Sequence, residues 1–145
     1  MGPKGQALKV VLDTNVVVSA LLYEGPTRRL VDLWKTGRIG PVATQTMLDE
    51  YARVLQYPKF GHAPEQVAGI LQDGLLPWLG RVEEWKGRLS HPSRDPDDEV
   101  FLRAALGSRA LNLISGDPHL LELQGHYPFR ILTPRAFLAE WERSR

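Results

Sequence analysis

The apolar run Val10-Val11-Leu12 stops on a carboxylate, Asp13, and the run Leu113-Ile114-Ser115-Gly116 stops on another, Asp117. An unpaired charge is costly to desolvate, so an acid at the buried tip of a strand needs a backbone donor, a cation or a metal. The segment 44–56 adds Glu50. At about 100° per residue it falls at the edge of the stripe Met47, Leu48, Tyr51, Val54 and Leu55, while Asp49 points away. The run Asp95-Pro96-Asp97-Asp98-Glu99 adds more acids. Asp98 precedes Phe101, Leu102 and Ala105 at helical spacing and continues their face. Asp97 reads as the helix N-cap, Asp98 as a first-turn residue, Glu99 as solvated, and Asp95 as a loop residue that can support the others.

Each acid has a plainer alternative. Asp13 can cap a helix beginning at Asn15, Asp117 can cap the turn before Pro118, and Glu50 can pair with Arg53. Brought into one crevice, however, Asp13, Glu50, Asp98 and Asp117 repel one another unless some protonate or a cation binds. Oxygen donors without Cys or clustered His suit Mg²⁺ or Mn²⁺ rather than zinc. Such ions activate water and hold both oxygens of a phosphodiester during in-line displacement.

The elements that must position these acids alternate. Leu8 to Leu12 reads as a buried strand, followed by short helices over 15–22 and 26–37. A second strand over 38–44 leads into the periodic helix 44–56, which stops before Pro58. Pro64 opens another helix, and a third strand is expected at Arg81 to Trp85. The loop 90–98 runs into a helix over 99–107. A strand over 110–115, a short helix, a last strand at 129–133 and a final helix from Pro134 complete the chain. This alternation predicts a three-layer α/β/α architecture around a central, mostly parallel sheet of four to five strands. In such sheets ligands bind outside the carboxyl ends of the strands, where strand order reverses, so Asp13 and Asp117 are expected at one crevice.

Composition narrows the class. With 145 residues, 43% of them hydrophobic, one domain over 1–145 is expected, with 1–7 flexible. The absence of Cys excludes disulfides, thiolate catalysis and Cys-based metal sites. No apolar run approaches a membrane span and residues 1–6 lack a signal-peptide core, so a cytoplasmic location and no membrane partner are expected. A net charge of +1 is far from a nucleic-acid coat, which leaves any phosphate contacts to local cations. Arg28, Arg29, Arg53 and Arg94 are the candidates.

Val10-Val11-Leu12-Asp13-Thr14-Asn15-Val16, Leu48-Asp49-Glu50-Tyr51, Asp95-Pro96-Asp97-Asp98-Glu99 and Ser115-Gly116-Asp117-Pro118, taken in this order, resemble the PIN-domain ribonucleases. The likeness is greatest to toxin components of toxin-antitoxin systems related to VapC. The resemblance implies that Asp13, Glu50, Asp98 and Asp117 are the metal-binding, catalytic acids, with Mg²⁺ or Mn²⁺ as cofactor. It places Asn15 and Ser115 where the family has polar residues that orient those acids, with Thr14 as a weaker support in the same turn. It also implies endonucleolytic cleavage of single-stranded RNA by a metal-activated water, a homodimer, and a cognate antitoxin that occludes the cleft. Where close relatives have Lys after the Ser-Gly-Asp, this chain has Pro118 and His119, and His119 becomes a candidate phosphate contact.

A haloacid-dehalogenase-like phosphatase also ends its first strand on Asp, but it needs a second Asp where this chain has Asn15. A receiver domain would place its phosphoacceptor after the third strand. A catalytically silent PIN fold that binds RNA or protein is the remaining alternative, and such folds usually lose one or more of the acids. Neither G-x-x-x-x-G-K-[ST] nor G-x-G-x-x-G occurs.

Overall fold

The computed structural model describes residues 7–144. The chain runs β1 (Leu8–Leu12), α1 (Thr14–Leu22), α2 (Arg29–Lys35), β2 (Ile39–Ala43), α3 (Gln45–Leu55), α4 (Pro64–Gly74), β3 (Gly80–Arg81), α5 (Glu99–Ser108), β4 (Asn112–Ile114), α6 (Pro118–Leu121), β5 (Arg130–Leu132) and α7 (Pro134–Arg143), with single 3-10 turns between several of these. The five strands are all parallel, in the order β3-β2-β1-β4-β5, within a three-layer α/β/α arrangement. The expected flexibility of residues 1–7 falls outside the described residues except at Ala7, which packs beside Gly40.

From β1 the chain builds outward through β2 and β3, then crosses back to place β4 and β5 on the other side. Strand order therefore reverses at β1, and a crevice opens beyond the carboxyl ends of β1 and β4. Val10, Val11 and Leu12 are at most 1% exposed because a central parallel strand is covered on both faces. Val11 is in register with Val42 on one side and Leu113 on the other. The backbone ladder continues one residue past each strand: Asp13 N–H donates to the Ile114 carbonyl at 3.1 Å and Ser115 N–H to the Leu132 carbonyl at 3.0 Å. The two residues that lead into the crevice are thus fixed by the sheet itself.

The helices start where their capping residues stand. Thr44 accepts from Met47 N–H at 3.2 Å and Thr133 from Ala136 N–H at 3.0 Å. Gly37, at φ 76°, closes the turn after α2 in the left-handed region. Across the core, Trp34 Nε1 donates to the Gly74 carbonyl at 2.8 Å, tying α2 to the end of α4. The expected third strand over 81–85 is corrected to Gly80–Arg81: Val82 N–H still reaches the Ala43 carbonyl, but the backbone then turns to meet α5, where Trp85 N–H donates to the Arg103 carbonyl. Among the described residues no helix is long and apolar enough to cross a membrane.

Candidate functional site

Asp13 meets two demands at once. Its Oδ1 accepts from Val16 N–H at 2.9 Å, so it does cap α1, and its Oδ2 accepts from the Ser115 hydroxyl. It is 4% exposed. Burial raises its pKa above 3.8, the charge of Asp117 raises it further, and the bonds from Ser115 and Val16 oppose both. Beneath it, the Tyr51 hydroxyl on α3 donates to the Leu12 carbonyl at 2.6 Å, and burial holds that phenol neutral, well above its ordinary value of 10.

A single local pattern then delivers four of the remaining polar groups. In Ser93-Arg94-Asp95-Pro96-Asp97 and in Ser115-Gly116-Asp117-Pro118-His119, the Ser hydroxyl oxygen accepts from the N–H of the Asp two residues on, at 3.2 and 2.9 Å. That Asp in turn accepts from the N–H two residues further, at 3.0 and 2.9 Å, and Pro opens a helical turn. Each Ser hydroxyl proton is given to a more deeply buried acid, from Ser93 to Asp98 Oδ2 at 3.2 Å and from Ser115 to Asp13. Ser93 is a supporting residue that the sequence reasoning passed over; the repeated Ser-x-Asp-Pro-x was the signal that pointed to it. The same geometry corrects the capping assignment. Asp95, not Asp97, caps the turn that leads into α5, and Asp97 is exposed on the cleft rim.

Asp98 is 6% exposed and faces Asp117 closely enough to share a proton with it. Burial first, then Asp117 and Asp95, push its pKa up to about 7, against the opposing bond from Ser93. One donor atom each from Asp95, Asp98, Asp117 and His119 lies within 4.8 Å of the others, a spacing able to hold a metal ion. Asp98 and Asp117 belong to both this group and the set implied by the resemblance. Asp95 and His119 come closer to that centre than a loop acid and a phosphate contact were expected to.

Asp13, Glu50, Asp98 and Asp117 all line one cleft of about 310 Å³, with Thr14, Asn15, Arg53, Asp95 and Asp97 around them. Glu50 reaches the crevice rim from α3, where it accepts from the Thr14 hydroxyl and pairs with Arg53 at 3.5 Å. Thr14 thus has a defined partner, whereas Asn15 is exposed at the cleft wall. Val54, Tyr57 and Phe101 supply apolar wall that no sequence argument had assigned.

Of the basic candidates, the structure brings Arg53 to this cleft. Arg28 lines a different and larger cavity of about 500 Å³ beside α2 and α4, which contains no acid of this site. Arg29 pairs with Glu142 on α7, and Arg94 pairs with Glu122 at 3.0 Å. His119 Nδ1 lies 3.8 Å from Asp117 Oδ1.

Comparison with known proteins agrees with this architecture. A family model described as a PIN domain matches residues 9–119. The chain is 27% identical over 151 aligned positions to an uncharacterized protein of Methanocaldococcus jannaschii, with 94% of this chain and 93% of that protein covered. The matched segment begins in β1 and ends at His119, taking in every acid that lines the cleft, and on that match this protein belongs to the PIN-domain family.

Proposed function

We propose that this protein is an endoribonuclease that hydrolyses single-stranded RNA with Mg²⁺ or Mn²⁺, and that it is the toxin of a toxin-antitoxin pair. PIN domains are generally nucleases that need a divalent metal. The observation that carries the proposal is the meeting of Asp98 and Asp117 at the strand-order reversal, with a pKa of about 7 at Asp98. Carboxylates held this close at neutral pH call for a proton or a cation. An all-oxygen set with a single imidazole at its edge suits a hard divalent ion better than zinc.

Asp98 and Asp117 would hold such an ion, with Asp13, Glu50 and Asp95 as further donors lining the cleft and His119 within reach of Asp95, Asp98 and Asp117. A divalent cation bound there lowers the pKa of water and screens charge on the scissile phosphate. The chain's own groups do the positioning. Ser115 and Val16 N–H fix both oxygens of Asp13, Ser93 fixes Asp98 Oδ2, and Thr14 fixes Glu50. Arg53 stands at the cleft mouth, 65% exposed along its side chain, where it can meet a backbone phosphate without reading sequence. Val54, Tyr57 and Phe101 are the apolar residues that line the cleft.

The test is cleavage of labelled single-stranded RNA and DNA by metal-loaded protein, by chelated protein, and by Asp13→Asn and Asp98→Asn. Metal-dependent RNA cleavage that both variants lose, with unchanged circular dichroism, is the expected result. If the metal-loaded wild type leaves every RNA intact, the silent RNA-binding or protein-interaction alternative takes its place. Equal cleavage of DNA removes the RNA selectivity. The toxin role predicts growth arrest on induced expression that Asp98→Asn relieves, and a homodimer is tested by sedimentation.

A further inference from the structure

Trp85 keeps 38% of its surface exposed in a segment that is neither helix nor strand. That segment is nevertheless fixed. The Trp85 N–H donates to the Arg103 carbonyl at 3.0 Å, and Arg103 Nη1 donates back to the carbonyls of Trp85 at 2.9 Å and Gly87 at 2.7 Å. The indole lies against Gly87, where any Cβ would collide with the ring. An exposed aromatic is therefore held in one orientation by backbone bonds and a glycine.

The ring borders a cleft of about 250 Å³ together with Arg88, His126 and Tyr127. Tyr127 is held in turn: its hydroxyl donates to the His91 carbonyl at 2.6 Å, and its ring stacks on Phe129 at 5.1 Å. An adjoining cleft of about 180 Å³ shares Leu106 and Pro128 with the first and adds Arg109. No carboxylate lines either cleft, and neither Arg88 nor Arg109 has a carboxylate partner among the described residues. Glu83 and Glu84 precede Trp85 but line neither cleft. Arg109 also occupies the left-handed position after α5, at φ 60°, where glycine is the usual residue.

Unpaired guanidinium groups beside fixed, accessible rings match the needs of a single-stranded nucleic acid, whose phosphates meet the cations while its bases stack. Both clefts are too small to seat a partner helix, which is about 10 Å across with its side chains, but either admits a planar base. Leu106 lies eight residues beyond Asp98 along α5, about 12 Å away. The chain from Arg88 runs through irregular backbone and the 3-10 turn Pro96–Asp98, so one continuous piece of chain joins this face to the acidic cleft.

We propose that the face formed by Trp85, Arg88, Tyr127 and Arg109 is a second, sequence-tolerant binding site for single-stranded RNA, lying a few nucleotides from the acidic cleft. The identification of that RNA as substrate rests on the nuclease reading; the binding itself does not. The test titrates fluorescein-labelled RNAs of about 12 and about 4 nucleotides, lengths at either end of a single-strand site, into metal-free Asp13→Asn protein. Trp85→Ala and Arg88→Ala, each in that background, are expected to weaken the longer RNA about five-fold or more and the shorter one little, while Trp85→Phe retains most of the affinity. In active protein the same changes raise KM for the longer RNA and leave kcat on the shorter one unaltered. Equal affinity of all variants for the longer RNA overturns the proposal. So does a concentration-dependent dimer that Trp85→Ala dissolves, which assigns the face to a second copy of the chain. Trp85-dependent binding in a protein that cleaves nothing removes the nuclease reading and leaves the binding site standing.

Discussion

Replacing Asp98 by Asn keeps the side chain's shape and its acceptor oxygen for Ser93, but removes the charge that faces Asp117. The folded protein raises the Asp98 pKa from 3.8 to about 7, so between those values the native state binds more protons than the unfolded chain. Stability contributed by this group therefore falls as pH rises through that window and stays low above it. At about 1.4 kcal/mol per tenfold change, full ionisation costs at most about 4 kcal/mol. Relaxation and water entry reduce this, and about 2 kcal/mol is the expected gain for Asp98→Asn in metal-free protein near neutrality. For a chain of this size that corresponds to a Tm increase of about 6 °C. The assay is thermal melting of wild type and variant in chelator at about pH 5 and about pH 7.5, chosen to bracket most of the titration. The variant should gain clearly at the higher pH and much less at the lower, where wild-type Asp98 is largely protonated. Saturating Mn²⁺ should reverse the order, because an ion at about 100 times its Kd adds about 2.7 kcal/mol to the protein that binds it. A variant that melts below wild type in chelator near pH 7.5, or a difference that does not change with pH, refutes the electrostatic account of the site.

Three further changes probe the supports. Ser115→Ala removes the hydroxyl that holds Asp13 Oδ2 and should weaken metal affinity about ten- to hundred-fold with the fold intact, measured by titrating Mn²⁺ against the melting temperature. Tyr51→Phe leaves the Leu12 carbonyl without its side-chain donor and should cost about 1–2 kcal/mol in urea unfolding, with an unchanged m-value. Gly107→Ala, although it improves intrinsic helix propensity, drives a methyl group into the Glu83 carbonyl and should destabilise by about 1–3 kcal/mol; a stabilised variant would contradict the close packing of α5 on the Glu83–Trp85 segment.

Val10 to Leu12 announce a central strand because an all-apolar run of that length fits only a position covered on both faces, and the sheet confirms it. Helical phase brought Glu50 to the crevice edge, and phase together with the family resemblance separated buried Asp98 from exposed Asp97. Phase did not give the cap. Asp95 takes that role because a 3-10 turn over Pro96–Asp98 precedes α5, which moves the capping position back by two residues while α5 itself begins at Glu99. Arg53 was readable from its spacing to Glu50 on α3, but Arg29 and Arg94 were not. Arg29 and Arg94 meet acids more than twenty residues away in sequence, on α7 and at the end of α6, and a flexible, exposed guanidinium takes whichever anion the fold brings near.

Residue order alone marks most of the elements and puts Asp13 and Asp117 at strand ends, since hydrophobic periodicity and capping chemistry act over a few residues, although it missed the short extent of β3 and the cap at Asp95. Folding was needed to bring these acids together, to join Asp95 and His119 to Asp98 and Asp117, and to leave Trp85 open beside Arg88, which has no carboxylate partner among the described residues. The reason is range. Desolvation and Coulomb energy depend on distances between segments far apart in the chain, and those distances exist only once the parallel sheet has folded back across β1.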